Sequence, residues 1–362
     1  MKAFPVRPQE LGTTELTTWR SMQRQTQALA NPFLTPEFAL AVGEHRPGTR
    51  VAVLIEDQEV IGFFPFEKRR LNTAVPLCGW LSPCQGVIHS PAAEWDCQEL
   101  LRECNISAWK FDNLIADQQS FKPFQTSVDP APIMDISEGF PAYYAKLHGQ
   151  APRMCREMGR KTRKLGHDVG DLRLVSDSRD PAALRTLMAW KSEQYRRTNH
   201  VDRFSQPWLV GLLESLLNLR EDRISGQLSV LYAGDSPVAA EFGLRCDNLL
   251  VGWFTGYAAQ FSKYSPGIIH LLQMTEALAA AGVTTIHMGK GSRNYTKLLK
   301  SQDMLVAKGI VTSSSLLGSA HRASNATARW AVKTVRKYDR LHDAADRVLR
   351  HSGVSSVTYG RI

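Results

Sequence analysis

The strongest constraint on this chain is an order of segments that occurs twice. In the first half, a polar helical stretch from Trp19 to Ala30 precedes Thr35-Pro36, where a hydroxyl N-cap sits before a proline at the first helical position of a short helix running to about Gly43. Val51-Ala52-Val53-Leu54-Ile55, the polar turn Glu56-Asp57-Gln58-Glu59 and Val60-Ile61-Gly62-Phe63-Phe64-Pro65-Phe66 then read as strand, turn, strand. In the second half, Asp180-Pro181 opens a helix with Leu184, Leu187, Met188 and Tyr195 on one face. Ser205 and Pro207 open another carrying Leu209, Leu212, Leu213 and Leu216. The hairpin Leu228-Ser229-Val230-Leu231-Tyr232, Gly234-Asp235, Pro237 to Leu244 follows. Two helices before a hairpin, twice, reads as a faint tandem duplication; a chance likeness of two such segments is the alternative.

Length agrees with the doubling, because 362 residues exceed one ordinary core and suit two domains of roughly 150 residues. With 43% hydrophobic and 22% charged residues the chain is expected to fold as a soluble globular protein. No apolar run approaches the roughly 18 residues needed to span a bilayer, and Met1 to Pro8 lacks the apolar core of a secretion signal, so the expected compartment is the cytoplasm. The six cysteines, Cys78, Cys84, Cys97, Cys104, Cys155 and Cys246, form no Cys-x-x-Cys pair and have no histidine at zinc-finger spacing. Reduced thiols and no metal are expected.

After the second hairpin come a strand Leu249 to Thr255, a loop Gly256 to Tyr264, a helix from Pro266 to about Ala281 stopped by Gly282, and a strand Thr284 to Met288. A strand–loop–helix–strand unit implies a right-handed crossover and parallel pairing of its strands. Its helix begins Ser265-Pro266-Gly267-Ile268. Proline presets the first turn, glycine lets a ligand approach the backbone, and free amides with the helix dipole attract phosphate. The same residues also make an ordinary capped helix start.

The net charge of +9 needs a place. It gathers in Arg153, Arg156, Arg160, Lys161, Arg163 and Lys164, and again in a tail containing Arg322, Arg329, Lys333, Arg336, Lys337, Arg340, Arg347 and Arg350. Neither cluster is interleaved with aromatics, so nucleic acid is not an expected partner. The first cluster, with Met154, Met158 and Leu165, fits an amphipathic connecting helix whose basic side is either solvated or turned to the phosphates of a ligand or an anionic membrane. In the tail, Trp330, Val332 and Tyr338 beside Arg336, Lys337 and Arg340 allow the same contact with anionic lipid. The chain has no Gly-x-Ser-x-Gly elbow, Walker loop, His-Glu-x-x-His or dinucleotide glycine triplet.

From Leu228 to Val311, the element order and the words Tyr264-Ser265-Pro266-Gly267-Ile268, Met288-Gly289-Lys290-Gly291 and Tyr295-Thr296-Lys297 resemble the CelD-type GNAT acetyltransferases of bacterial polysaccharide and cellulose biosynthesis. The first half, from Trp19 through Asn31-Pro32-Phe33 to Pro65, is similar in plan. The resemblance implies an α/β fold of tandem GNAT-like domains with mixed sheets flanked by helices. It implies that acyl-CoA wedges between the fourth and fifth strands of the second domain, with Pro266, Gly267 and Ile268 cradling its pyrophosphate. Ser265 belongs to the same cradle, and Tyr257 and Tyr264 flank the loop either as walls of the acyl pocket or as structural lids.

Glu241 is the candidate general base, on the strand face opposite Val238, Ala240, Phe242 and Leu244; an outward, solvated carboxylate is the alternative. Phenylalanine stands at the matching place in the first half, within Val60-Ile61-Gly62-Phe63. The family pattern Asp-Leu-Gly-x-Gly with a following Tyr-Lys is altered here. His287 replaces the aspartate, and Lys297 is moved one place from Tyr295, which turns its ammonium by about 100 degrees on a helix. His287 is either a base near neutral pH or a packed strand-end histidine. Tyr295 is either the acid for the departing thiolate or a core tyrosine.

These readings give a non-catalytic GNAT-like domain at 1–150, a basic connecting helix at 151–175, a GNAT-like acyltransferase domain at 176–312 and a basic helical tail at 313–362. The expected reaction is direct transfer of an acyl group, acetyl above all, from acetyl-CoA to a sugar, amino sugar or lipid-linked glycan precursor, with peripheral contact to an anionic membrane. The alternatives are a Fem-like aminoacyl-tRNA-dependent transferase and a non-catalytic scaffold of the same fold.

Overall fold

A computed structural model describes residues 1–313 apart from 222 and 291–293. Gly291 and the tail with Trp330, Arg336 and Arg340 lie outside the described residues. The first half contains β1 (Lys2–Val6), α1 (Thr13–Gln25), α2 (Pro36–His45), β2 (Thr49–Glu56), β3 (Glu59–Lys68), β4 (Thr73–Val75), β5 (Ile88–His89), α3 (Cys97–Glu103), β6 (Ala108–Ile115) and β7 (Gln125–Asp135). Helices α4 (Phe140–Gln150) and α5 (Pro152–Val169) lead into β8 (Leu172–Val175), α6 (Pro181–Arg197), α7 (Pro207–Asn218), β9 (Ile224–Ala233), β10 (Ser236–Cys246), β11 (Leu249–Tyr257), α8 (Pro266–Ala280), β12 (Thr285–His287), α9 (Asn294–Leu299) and β13 (Gln302–Thr312).

Local chemistry sets the helix starts. The Thr35 hydroxyl accepts from the Phe38 amide at 3.2 Å, and the Asp180 carboxylate accepts from the Ala182 amide at 2.8 Å, each beside a proline at the first position. Helix α1 begins earlier than the expected Trp19, because its first turn, Thr13-Thr14-Glu15, is polar and leaves no apolar period to read.

Each half follows one plan: an edge strand, two helices, an antiparallel hairpin, a further strand, a helix and a parallel return strand. Strands β4 and β6 pair in parallel in the first half, as β11 and β12 do in the second. The fold is thus α/β, with the twice-repeated order of elements read from the sequence. The thirteen strands join in one sheet, ordered β1-β2-β3-β4-β6-β13-β7-β12-β11-β10-β9-β8, with β5 paired to β3. The final strands are exchanged between halves: β13 pairs with β6, and β7 pairs with β12 as well as with β13. Strand pairing therefore crosses the boundary expected near residue 150. No local signal in β7 or β13 marks this, because a strand's apolar pattern names a face to bury and not the neighbour it joins.

The halves also share a core. Trp19, Phe33 and Phe38 from the first half and Leu209, Leu213 and Leu216 from the second lie in one buried cluster on the α1–α2 and α6–α7 face. Each such side chain contributes about 1.5–3 kcal/mol by leaving water. The indole of Trp253 on β11 packs edge-on to Phe33 at 4.9 Å and donates to the Leu81 carbonyl at 2.6 Å. Glu67, 1% exposed, accepts from Arg46 and Arg69 at 2.8 and 2.9 Å, and the Arg46 guanidinium lies 4.5 Å over the Trp208 ring of the other half. The opposite face is covered by α3 in the first half and by α4, α5 and α8 in the second. No described helix is long and apolar enough to cross a membrane.

Candidate functional site

Strand β11 is paired to β10 almost throughout, but to β12 only over Leu249–Val251, which face Thr285–His287. From Gly252 to Tyr257 no strand joins its other edge among the described residues. This one-sided edge opens where β12 ends. A bulge in the β10–β11 register between Phe242 and Gly243 lies beside it.

Glu241 is at that opening. Its register partners are Ser229 on β9 and Thr255 on β11, and it is only partly exposed. A Cβ placed on Gly252 would lie 2.5 Å from a Glu241 carboxylate oxygen and 3.5 Å from the His287 carbonyl oxygen. The carboxylate therefore sits over the backbone where β11 and β12 part, and glycine leaves room for it. Below it the Ser229 hydroxyl meets His270 Nε2 of α8 at 2.9 Å; both residues are buried, and burial lowers the His270 imidazole to about 4.

The start of α8 departs from the expected cradle. Pro266 has no amide proton, and the amides of Ile268 and Ile269 both donate to the Ser265 carbonyl, at 3.0 and 3.3 Å. Of the amides expected from Pro266, Gly267 and Ile268, only that of Gly267 has no acceptor among the described residues. Ser265 is left-handed (φ 56°) and caps no amide; its hydroxyl instead accepts from Lys161 Nζ of α5 at 2.9 Å. Lys161 also pairs with Glu157 at 2.9 Å. The basic connecting helix thus delivers an ammonium to this helix start, while Arg153, Arg156, Arg160, Arg163 and Lys164 remain exposed.

The aromatic candidates separate. Tyr257, 40% exposed, lies with its ring 3.7 Å from where a Gly267 Cβ would stand, so the end of β11 meets the start of α8. With Trp190, Glu193, Gln194 and Arg197 of α6 it lines a shallow depression. Tyr264 is a core residue and not a pocket wall: it is 3% exposed among Leu165, Leu231, Val238 and Ile269, and its hydroxyl donates to Asp168 at 2.7 Å.

Burial lowers the His287 imidazole to about 4. The residue ends β12, in register with Val251 and Ile133. Tyr295 is partly buried against the cluster around Leu299 and Met134, whereas Lys297 is exposed on α9 and is not held in a cleft. Ile268 packs partly buried against that same cluster.

A group of charged residues missed by the sequence reading lies on the central strands. The exchanged β13 brings Lys308 beside β6, where Lys110 and Asp112 flank Phe111, and beside Ser127 of β7. Lys290, three residues after His287, reaches the Asp129 carboxylate at 2.9 Å and the Asp112 carbonyl at 3.1 Å. Asp112 accepts from Gln85 Nε2 at 2.7 Å, and burial raises its carboxyl above the usual range. The only sequence signal was a pair of charges interrupting the apolar strand Ala108–Ile115. All six cysteines are buried and unpaired, and no three of His, Cys, Asp or Glu group as metal ligands among the described residues.

Residues 153–297 match the family model described as an acetyltransferase (GNAT) domain. Among solved structures, the chain is similar to the C-terminal domain (DUF2156) of a putative lysylphosphatidylglycerol synthetase from Agrobacterium fabrum, with 9% identity over 86% of this chain and 95% of that one, at a TM-score of 0.51. It is similar to FemX at 12% identity over 86% of this chain and 96% of that one, with a TM-score of 0.52. At such identities the likeness concerns the fold alone. No curated protein matches the chain in sequence.

Proposed function

We propose that the second half is an acyl-CoA-dependent acyltransferase that moves an acetyl group to a hydroxyl or amine of a sugar, amino sugar or lipid-linked glycan precursor in exopolysaccharide or cellulose biosynthesis. The observation that carries the transfer reading is the Glu241 carboxylate at the point where β11 and β12 part, inside the segment that matches an acetyltransferase (GNAT) domain. The glycan acceptor rests on the resemblance to CelD-type proteins.

In this reading the unpaired edge of β11 receives the extended arm of acyl-CoA, and the Gly267 amide, the α8 dipole and the Lys161 ammonium face its pyrophosphate. Glu241 takes the proton of the acceptor as its oxygen or nitrogen attacks the thioester carbonyl. The carbon–sulfur bond then breaks, CoA leaves as thiolate, and Tyr295 is the proposed proton donor to it. In this reading transfer is direct: all six cysteines are buried, and burial raises each thiol, so none is offered as the nucleophile. Burial makes His287 a weaker base than a free imidazole, so Glu241 and not His287 takes the acceptor's proton in this reading. The exposed arginines of α5 favour working at an anionic membrane face.

Acetyl-CoA should raise the melting temperature of the protein by mass action; stabilisation by charged tRNA alone would instead favour the Fem-like reading. Glu241→Gln should keep acetyl-CoA affinity and slow transfer roughly a hundredfold. Gly252→Ala is the companion variant: its methyl would crowd the carboxylate at the point where β11 and β12 part, so kcat/KM should fall, with part of the loss in KM because the same edge receives the donor. Unchanged turnover in both variants would remove Glu241 from the mechanism.

A further inference from the structure

The central strands β6, β13, β7 and β12 have α3 and α9 packed on one face, while the other lies between the α1–α2 pair and the α6–α7 pair. Register places several residues on that second face. His287 stands beside Ile133; along β7, Ala131, Asp129 and Ser127 share the face with Ile133; Ser127 is opposite Lys308, and Lys110 is opposite Ile310. The face that carries His287 at one end therefore carries a lysine group at the other.

Three ammonium groups meet there with two carboxylates. Lys290 uses the Asp129 carboxylate, and Asp112 is held by the Gln85 amide. Lys110 and Lys308 have no ion pair among the described residues. Lys308 is half-buried, and its ammonium is pushed down first by desolvation and then by the charges of Lys110 and Lys290. Lys110 and Lys290 are exposed and Lys308 is half-buried, so three ammoniums face two carboxylates at a surface an anion can reach, and the one ammonium in excess favours a bound negative charge.

We infer that Lys110, Lys290 and Lys308 form a subsite on the central sheet face that takes a phosphoryl group, carried by the acceptor molecule. Naming that molecule the acceptor rests on the acyltransferase reading; the anion site itself does not. Lysine ammoniums hold phosphate as point charges, and this floor reaches from β6 to Lys290, which follows β12 directly. The acceptor class is thus a phosphate or diphosphate ester, such as a sugar phosphate or the diphosphate of a lipid-linked sugar. The first half thereby contributes Lys110 to substrate binding, although it has no counterpart of Glu241.

The test is calorimetric titration of inorganic pyrophosphate into protein saturated with CoA, comparing wild type with Lys110→Ala/Lys308→Ala. The double variant should bind about tenfold more weakly or worse, with a flatter dependence on salt. Its melting temperature should equal or exceed wild type, since like charges are removed. Lys308→Gln serves as a milder second variant should the double variant not fold. Acetyl-CoA affinity should be the same in wild type and variants; failure of wild type to bind acetyl-CoA would sink the donor reading and leave the pyrophosphate comparison intact. Phosphatidylglycerol vesicles form a second arm: their loss together with pyrophosphate assigns a lipid headgroup, and their retention assigns a soluble phosphate ester. Equal pyrophosphate affinity in wild type and variants, or none in wild type, overturns the subsite.

Discussion

Two histidines show how burial decides chemistry at the scale of single residues. His270 and His287 both fall from the ordinary 6.5 to about 4, and desolvation is the leading cause for each. A base whose folded value lies below its unfolded one leaves the unfolded chain binding the extra proton, so stability is lost as pH falls from about 6.5 toward 4 and is flat above. His270→Gln should therefore shrink the difference in unfolding free energy between pH 7 and pH 4.5, by on the order of 2 kcal/mol. Denaturant titrations at the two pH values measure it, and an undiminished difference would clear His270 as the source. Residue identity gave Glu241 as a candidate, because a carboxylate in an apolar strand is conspicuous. It did not give the state of His287, which depends on what covers the ring, nor that the Ile268 amide is used by Ser265.

Elements were read well where their signals were local. Hairpins β2–β3 and β9–β10, the Thr35 and Asp180 caps, and the parallel return of β12 all follow from turns, prolines and apolar period. The partner of a strand has no such signal, and the lysine group escaped notice because Lys110, Lys290 and Lys308 are brought together only by the insertion of β13 between β6 and β7. Strand β13 is consequently indispensable to both halves. A chain ending at residue 300 should leave β6 and β7 with unpaired edges and fail to reach a native fold. Far-ultraviolet circular dichroism with hydrogen exchange checks this; a truncated protein with native protection in β6 and β7 would contradict the exchange.

The whole molecule has two copies of one plan but one sheet and one shared core, with Trp253 and Arg46 reaching across. Independent domains would unfold in separate steps. Here the α1–α2 layer cannot leave without exposing Leu209 and Leu213, so scanning calorimetry should record one transition, with calorimetric and van't Hoff enthalpies in agreement. Two resolved transitions would mean that the halves are energetically separate.

The exchanged strands also set a timetable for the newborn chain on the ribosome. Residues of β6 emerge long before β13, and at about 5–20 residues per second the wait lasts roughly ten to forty seconds. During that interval β6 and β7 present open edges to any neighbouring chain, so crowded synthesis threatens this protein before its sequence is finished.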